Sequence, residues 1–475
     1  MKKTGKNIKP IMAVIAIFVT LSVILGVVMA ATQTNAPAVD ESTGENISYD
    51  TSIADSAGSE SGASSDGEAD NTLTDDSDNN SQGGASLDGS SQSTPSPDIT
   101  QQPTVPPAAD ALSDMYSAMW ISYLEFQSVD FSSRAAFNSQ MTEMFSNCAD
   151  MGVKTVIVQV RPFGDALYKS DIFPVSHLVN GTQGAALSFD PLEEMVKIAH
   201  SLNLRIEAWV NPYRVRLHSK MPDNIAESNP ANDAALVFSA EGGVYYNPAL
   251  TQVQDMVVDG IAEIVEKYDV DGIHLDDYFY PSTDISLDEK DYSASGSKLS
   301  QADWRRENVN TLVKKLYKKI KSIDPSVTFG ISPQGNNDNN YNVQYSDVCL
   351  WMKEAGYVDY IMPQLYWGFG YLTKSGSEDY QFVKLSNKWA SYPRHSSVKL
   401  YIGMGAYRIG DGDGGTNDQS EWSGGNNLMR MINAVGANGN ISGFGLYRYD
   451  NLFRNSKYPS LAQSEVEHIT ELLEN

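Results

Sequence analysis

This 475-residue chain has very little cysteine and few basic side chains for its acids: two Cys, and 34 Lys and Arg against 60 Asp and Glu. Cys148 and Cys349 fall in amphipathic helical patterns on opposite halves of the foldable region. That placement argues against a disulfide, a metal site or a thiol nucleophile, and buried free thiols are expected. No Lys or Arg occurs from Pro10 to Ser133, and the net charge is −26. Without a basic face, nucleic acid is excluded as a partner. Residues 32–108 also hold hardly any large apolar side chains and consist mainly of Ser, Asp, Gly, Thr, Asn and Pro. Such a segment buries too little surface to offset its ordering entropy, so a disordered linker is expected. It holds fourteen acids and no base, more than half of the net charge, so the acidity belongs mostly to the linker.

What precedes the linker is of a different kind. Four lysines in the first nine residues lead into an uncharged apolar run from Ile11 to about Ala31. A run of ~20 apolar residues is long enough to span a bilayer, and its Lys-rich flank stays on the cytoplasmic side. Val28-Met29-Ala30 also offers small-residue cleavage chemistry, so the segment is either an uncleaved anchor or a removed signal peptide. Both place the folded part outside the cytoplasm, in contact with the membrane only through residues 1–31. No Cys follows the run to accept a lipid. The expected organisation is therefore a signal or anchor at 1–31, the acidic linker at 32–108, and one folded region at 109–475.

In that region short apolar strands alternate with amphipathic stretches, the pattern of parallel βα units. Eight strands are expected, at Tyr116–Tyr123, Thr155–Val160, Arg205–Asn211, Gly272–Asp276, Thr328–Ser332, Tyr360–Leu365, Lys399–Gly405 and Ile441–Tyr447. Helical patterns between them cover Ser133–Met151, Pro191–Ser201, Thr251–Lys267, Asp303–Ile323, Ser346–Ala355, Tyr380–Ser391 and Ser423–Asn438. Eight alternations in this order predict a (β/α)₈ TIM barrel with long loops, in which functional residues gather at the carboxyl ends of the strands.

Polar residues do concentrate at those ends. The second strand runs into Arg161-Pro-Phe-Gly-Asp165, the third into Asn211-Pro-Tyr213-Arg214 and the fourth into Asp276-Asp277-Tyr278. Gln334 follows the fifth, Gln364, Tyr366 and Trp367 sit on and after the sixth, and Tyr407 follows the seventh. Together with Trp120 of the first strand, these aromatics suit the flat apolar faces of sugars, and the Asn, Gln and Arg groups suit hydroxyl or acetamido groups. Alternation along Asp271-Gly-Ile-His-Leu-Asp276 puts Ile273 and Leu275 on one face and His274 and Asp276 on the other, toward the barrel axis. Asp276 is then the carboxylate placed to face a developing oxocarbenium ion. Asp277 is the first candidate for the proton donor, Asp165 the second, and Glu207, lower on the third strand, the third. Arg161 is expected to orient a carboxylate, and His274 to be either a satisfied barrel-core histidine or a support for Asp276 from below. Asp411-Gly-Asp413-Gly-Gly-Thr-Asn-Asp418 has the acid spacing of a calcium loop but lacks the bidentate Glu at its end, so a flexible loop over the cleft is expected there. No metal or cofactor is implied.

At these residues the chain resembles the glycosyl hydrolase-like ten family over about residues 115 to 450. The resemblance rests on Ala118-Met-Trp-Ile-Ser122, Gln159-Val-Arg-Pro-Phe-Gly-Asp-Ala-Leu-Tyr168, Phe189-Asp-Pro-Leu192, Ala208-Trp-Val-Asn-Pro-Tyr-Arg214 and Asp271-Gly-Ile-His-Leu-Asp-Asp-Tyr-Phe-Tyr-Pro281. It continues through Trp304-Arg-Arg-Glu-Asn308, Gly330-Ile-Ser-Pro333 and Tyr360-Ile-Met-Pro-Gln-Leu-Tyr-Trp367. It implies a (β/α)₈ barrel with glycoside hydrolase activity on bacterial cell surfaces, a member being implicated in cutting peptidoglycan glycan strands that have lost their stem peptides. The fourth strand is also similar to the chitinase-type pattern Asp-Gly-x-Asp-x-Asp-x-Glu, with Asp271, His274, Asp276 and Tyr278 at its polar positions. The terminal Glu is absent, so that mechanism does not carry over whole. Three readings stay open: a hydrolase of cell-wall glycan or a related N-acetylated polysaccharide, a hydrolase of dietary or exopolysaccharide, and a catalytically inactive carbohydrate-binding barrel.

Overall fold

A computed structural model describes residue 112 and residues 114–218 and 221–474. The segments expected to be a membrane or signal run and an acidic linker lie outside the described residues. Eleven strands follow in chain order: β1 (Tyr116–Ile121), β2 (Thr155–Arg161), β3 (Arg205–Val210), β4 (Arg214–Arg216), β5 (Val237–Ala240), β6 (Gly243–Tyr246), β7 (Gly272–Leu275), β8 (Thr328–Ile331), β9 (Tyr360–Ile361), β10 (Lys399–Gly405) and β11 (Gly443–Tyr447). Eight of them close a parallel barrel in the order β1-β11-β10-β9-β8-β7-β3-β2. The expected barrel is present, and each of its strands starts within two residues of its predicted place.

Parallel strands covered on both sides need apolar side chains all along, and β2, reading Thr-Val-Ile-Val-Gln-Val-Arg, is buried at every position. The two faces do different things. Outward side chains such as Val156, Val158, Ile206, Ala208, Ile273 and Leu275 join the large core beneath the helices. Inward ones, Ala118, Trp120, Ile157, Trp209, Tyr360, Met362 and Tyr447, form a separate cluster along the axis. Large rings fit there because neighbouring strands supply glycine. A Cβ on Gly330 would lie 1.9 Å from the Tyr360 ring, and one on Gly445 2.7 Å from both Trp120 and Met362.

The helices close the outer layer at Arg134–Asp150, Pro191–Ser201, Thr251–Lys267, Gln301–Ile323, Val348–Lys353, Phe382–Ser391 and Asn427–Gly436. Their starts carry the expected chemistry: Asp190 caps the second of these and Pro191 opens it, and Ser300 caps the fourth. Among the described residues, no helix is long and apolar enough to cross a membrane.

Three differences from expectation matter for the site. The sixth barrel strand is regular only over Tyr360–Ile361, because Pro363 cannot donate to a ladder; the chain regains single bridges at Gln364 to Gln334 and Gly403. A three-stranded antiparallel sheet, β4-β6-β5, rises from the loop after β3, its strands too short for alternation to show in sequence. A terminal helix, Pro459–Glu474, packs against the 427–436 helix, where the Glu465 carboxylate accepts the N–H groups of Asn427, Leu428 and Met429. It stands in for the side-chain cap that Asn426 does not provide. Of the two thiols, Cys148 is buried and Cys349 half-buried, and neither is in a disulfide.

Candidate active site

Strand β7 ends at Leu275, so Asp276 and Asp277 leave the barrel mouth on the first two residues beyond the ladder. Their carboxyls turn to opposite sides. Asp276 Oδ2 accepts the indole N–H of Trp209 at 3.1 Å and the amide of Asn211 at 2.7 Å, both from the β3 side. Asp277 Oδ1 accepts Gln364 Nε2 at 3.1 Å from the β9 side, and Gln334 also bonds this carboxylate. Asn211 is itself aimed by Gln159, whose amide reaches its Oδ1 at 2.6 Å while accepting the Tyr123 N–H at 2.9 Å.

Both acids are nearly closed off from solvent, at 3% and 7% exposure. Burial raises the proton affinity of each. Asp276 is pushed up to about 7, first by burial and then by the charge of Asp277, against the opposing pull of Arg214. The Asp277 carboxyl is raised as well, chiefly by burial. The two carboxyls thus resist ionising together, which is what an acid and a base side by side require.

Arg214 supplies the local positive charge. Its Nε donates to the Pro162 carbonyl at 2.9 Å, and its guanidinium carbon lies 4.9 Å from the Phe163 ring, 5.2 Å from Tyr278 and 5.7 Å from Tyr123. At the mouth of β9, β10 and β11, Tyr366 stacks on Tyr447 at 5.8 Å and Tyr407 stands edge-on to Tyr366 at 5.5 Å. Tyr278, Gln334, Gln364, Tyr366 and Tyr407 are all half-buried, leaving ring and amide surface open at this end. Trp367 packs against Tyr371 and Tyr380 on the outer side of the same region.

Several predicted site residues lie elsewhere or do something else. Arg161 does not meet a carboxylate among the described residues. The β2–β3 register shifts between Gln159 and Arg161, and this bulge turns Arg161 out of the lumen. There it covers the Phe173 ring at 4.3 Å and donates to the Pro212 carbonyl. Tyr213 is wholly buried in the outer core, edge-on to Phe279, and offers no surface to a ligand. Trp120 is 2% exposed and belongs to the barrel axis rather than an open cleft. Asp165 is not joined to the pair. Its Oδ2 accepts the main-chain N–H and Nδ1 of His177 and the amide of Gln183, which ties the loop after β2 together.

His274 does point inward, yet it bonds Tyr360, Ser332 and Trp120 instead of Asp276. Burial holds its pKa down at about 3, so the ring is neutral. Glu207 sits deeper still, accepting the hydroxyls of Tyr116 and Tyr360. Burial pushes its carboxyl up to about 7, with Tyr116, Tyr360, Tyr401, Arg205 and Asp271 the titratable and charged groups facing it. The acidic loop at 411–418 is tethered. Asp413 is buried, and its carboxylate accepts Gly368 N–H, Gly415 N–H and the Trp422 indole. Groups of acids, His and Cys able to hold a metal ion are absent among the described residues. Sequence motifs give Gln159 and Ser332 no role of their own, though a lone amide inside an apolar strand, as in Thr-Val-Ile-Val-Gln, is a signal that an inward position carries a specific partner.

A model of the family described as Glycosyl hydrolase-like 10 matches residues 116–424. The chain belongs to that family. Glycosyl hydrolase YngK of Bacillus subtilis is 33% identical over 356 residues, 69% of this chain and 67% of YngK. Glycosyl hydrolase DigH of Escherichia coli is 32% identical over 384 residues, 75% of this chain and 86% of DigH. Among solved structures, the PgaB (BpsB) glycoside hydrolase domain from Bordetella bronchiseptica overlays with a TM-score of 0.50 at 11% identity, covering 76% of this chain and 99% of that domain. The likeness is one of fold. The family match stops before β11, so the strand that closes this member's barrel lies beyond it.

Proposed function

We propose that this family member is a glycoside hydrolase acting outside the cytoplasm on peptidoglycan glycan strands or a related N-acetylated polysaccharide. The observation that carries the reading is the pair Asp276 and Asp277 at the carboxyl end of β7, buried, adjacent and raised in proton affinity. In this reading Asp276, held by Trp209 and Asn211, faces the developing positive charge or orients a substrate acetamido group. Asp277, held by Gln364, gives its proton to the leaving oxygen, which requires the proton that the resting pair favours on Asp276 to pass to Asp277 as substrate binds. Asp165 serves the loop after β2 rather than the reaction. The Tyr366, Tyr407 and Tyr447 rings take the apolar face of a sugar, and Gln334, Gln364 and Tyr278 its polar groups. The names of YngK and DigH as glycosyl hydrolases agree with the reaction class. The apolar run at residues 11–31 motivates the location, with the barrel anchored to or released from the membrane.

The test is to incubate purified residues 109–475 with peptide-free wall glycan, and separately with plant and fungal polysaccharides, and to analyse the products by mass spectrometry. Soluble oligosaccharides from wall glycan are expected from the parent, with Asp276→Asn and Asp277→Asn each lowering the rate by at least about 100-fold, the scale of a lost acid–base group. Retained glycan binding without products from any polysaccharide would replace the enzyme with a carbohydrate-binding barrel. Products from a plant or fungal polymer alone would replace the substrate.

A further inference from the structure

Beneath the carboxylate pair, the lumen holds a row of polar groups that the proposed reaction does not touch. The Tyr116 and Tyr360 hydroxyls donate to the two oxygens of Glu207, at 3.0 and 2.5 Å. His274 Nδ1 lies 2.7 Å from the Tyr360 hydroxyl. Its Nε2 lies 3.2 Å from Trp120 Nε1 and 3.0 Å from Ser332 Oγ. Glu207 and His274 are completely buried, and Ser332 nearly so.

The donor types decide where every proton sits. An indole N–H can only donate, so the His274 nitrogen facing it must present its lone pair. The ring proton of the neutral imidazole is therefore on Nδ1, directed at the Tyr360 oxygen. Tyr360 can accept it because its own proton points at Glu207. Were the Glu207 carboxylate replaced by a group that donates to Tyr360, the phenol would turn its proton toward Nδ1, and an Nε2–H would then confront the indole N–H.

The same ring touches both arms of the candidate active site. Trp209, which donates to Asp276, stands edge-on to His274 with centroids 6.3 Å apart and planes at 88°. Ser332 Oγ lies 3.0 Å from Nε2, and the Ser332 carbonyl accepts Gln364 Nε2 at 3.0 Å, the amide that also bonds Asp277.

We propose that Glu207 is a positioning residue: by taking the Tyr360 proton it keeps Tyr360 an acceptor for the Nδ1–H that the Trp120 indole also demands of His274, and the ring so held keeps Trp209 and Ser332 where they aim the donors on Asp276 and Asp277. The link to turnover rests on the glycosidase reading, whereas the tautomer does not.

The experiment uses the full chain with ¹⁵N-labelled histidine at pH 8, where Glu207 is ionised, and long-range ¹H–¹⁵N correlation of the imidazoles. The signals lost in His274→Gln assign the ring. The parent is expected to show a protonated Nδ1 and an unprotonated Nε2. Glu207→Gln is expected to move these shifts toward the other tautomer or an average of the two, and Tyr360→Phe, which leaves the Nδ1–H without an acceptor, to move the Nδ1 shift alone. Both are expected to lower kcat on the order of 100-fold, the scale of a misplaced catalytic group, with KM little changed. A protonated Nε2 in the parent, or an unaltered pattern in the variants, overturns the proposal, as does an altered pattern with unchanged kcat. Tyr360→Phe removes one hydroxyl and leaves Glu207 bonded to Tyr116, so it gives the reading if Glu207→Gln does not fold. A parent without turnover on any glycan overturns the glycosidase reading and with it the catalytic link, while the spectrum still decides the tautomer.

Discussion

Asp276 carries opposed demands that an ordinary core residue does not. Its carboxyl is raised to about 7 in the folded chain, mainly by burial, whereas an unfolded chain titrates it near the usual aspartate value of about 3.9. Between those values the folded state keeps a proton that the unfolded state has released. The contribution to stability is therefore fully present below about pH 4 and is lost as pH rises toward 7. Above that, the buried charge is a standing cost on the order of a few kcal/mol. Asp276→Asn removes the charge at nearly constant shape. It is expected to raise the melting temperature at pH 8, with the gain shrinking toward pH 4, while abolishing turnover. Scanning calorimetry of parent and variant at the two pH values checks this, and a variant less stable than the parent at pH 8 would mean that Trp209, Asn211 and Arg214 already compensate the charge.

At the level of the element, β8 shows how a strand can be shaped by a neighbour's side chain. Its Gly330 lies beneath the Tyr360 ring, leaving no room for even a methyl group. Gly330→Ala is expected to destabilise the barrel by at least the ~1–3 kcal/mol typical of overpacking, read as a lower urea midpoint with an unchanged slope. The displaced Tyr360 ring would also draw its hydroxyl from His274. An unchanged midpoint would show that the ring can tilt without loss. The bulge that ends β2 acts in the other direction, since it costs the lumen an arginine that strict alternation would have placed there and gives that arginine to the loop packing beside Phe173.

For the whole molecule, the demanding step is closure of the first strand against the last, residues far apart in the chain. Glu125 ties that seam. Its Oε2 accepts the Ser122 N–H and hydroxyl after β1, and its Oε1 accepts the Asp450 N–H and pairs with the Arg448 guanidinium after β11. The carboxylate is fully buried and its Arg448 partner partly exposed, so losing Glu125 takes the acceptor from two main-chain N–H groups and a hydroxyl as well as breaking the ion pair. Glu125→Ala is expected to cost about 3–5 kcal/mol, well beyond a surface pair, measured by urea denaturation. A loss below about 1 kcal/mol would show that Asp450, also paired with Arg448, suffices for the seam.

Local sequence determined much of this protein because burial repeats with the period of the backbone. Runs such as Thr-Val-Ile-Val-Gln-Val and Gly-Ile-His-Leu announce strands, caps such as Asp190-Pro191 announce helices, and eight alternations leave few architectures other than a closed barrel. The inward placement of His274 and the position of Asp276 and Asp277 at a strand end were legible for the same reason. Partners were not. Alternation states which face a side chain takes, and nothing about which residue a hundred positions away will meet it there. Only the closed barrel placed Trp120 and Tyr360 against His274, turned Arg161 away at a bulge, buried Tyr213 behind Phe279 and engaged Asp165 with His177. Those choices depend on register and ring volume across strands, quantities set by all eight strands together.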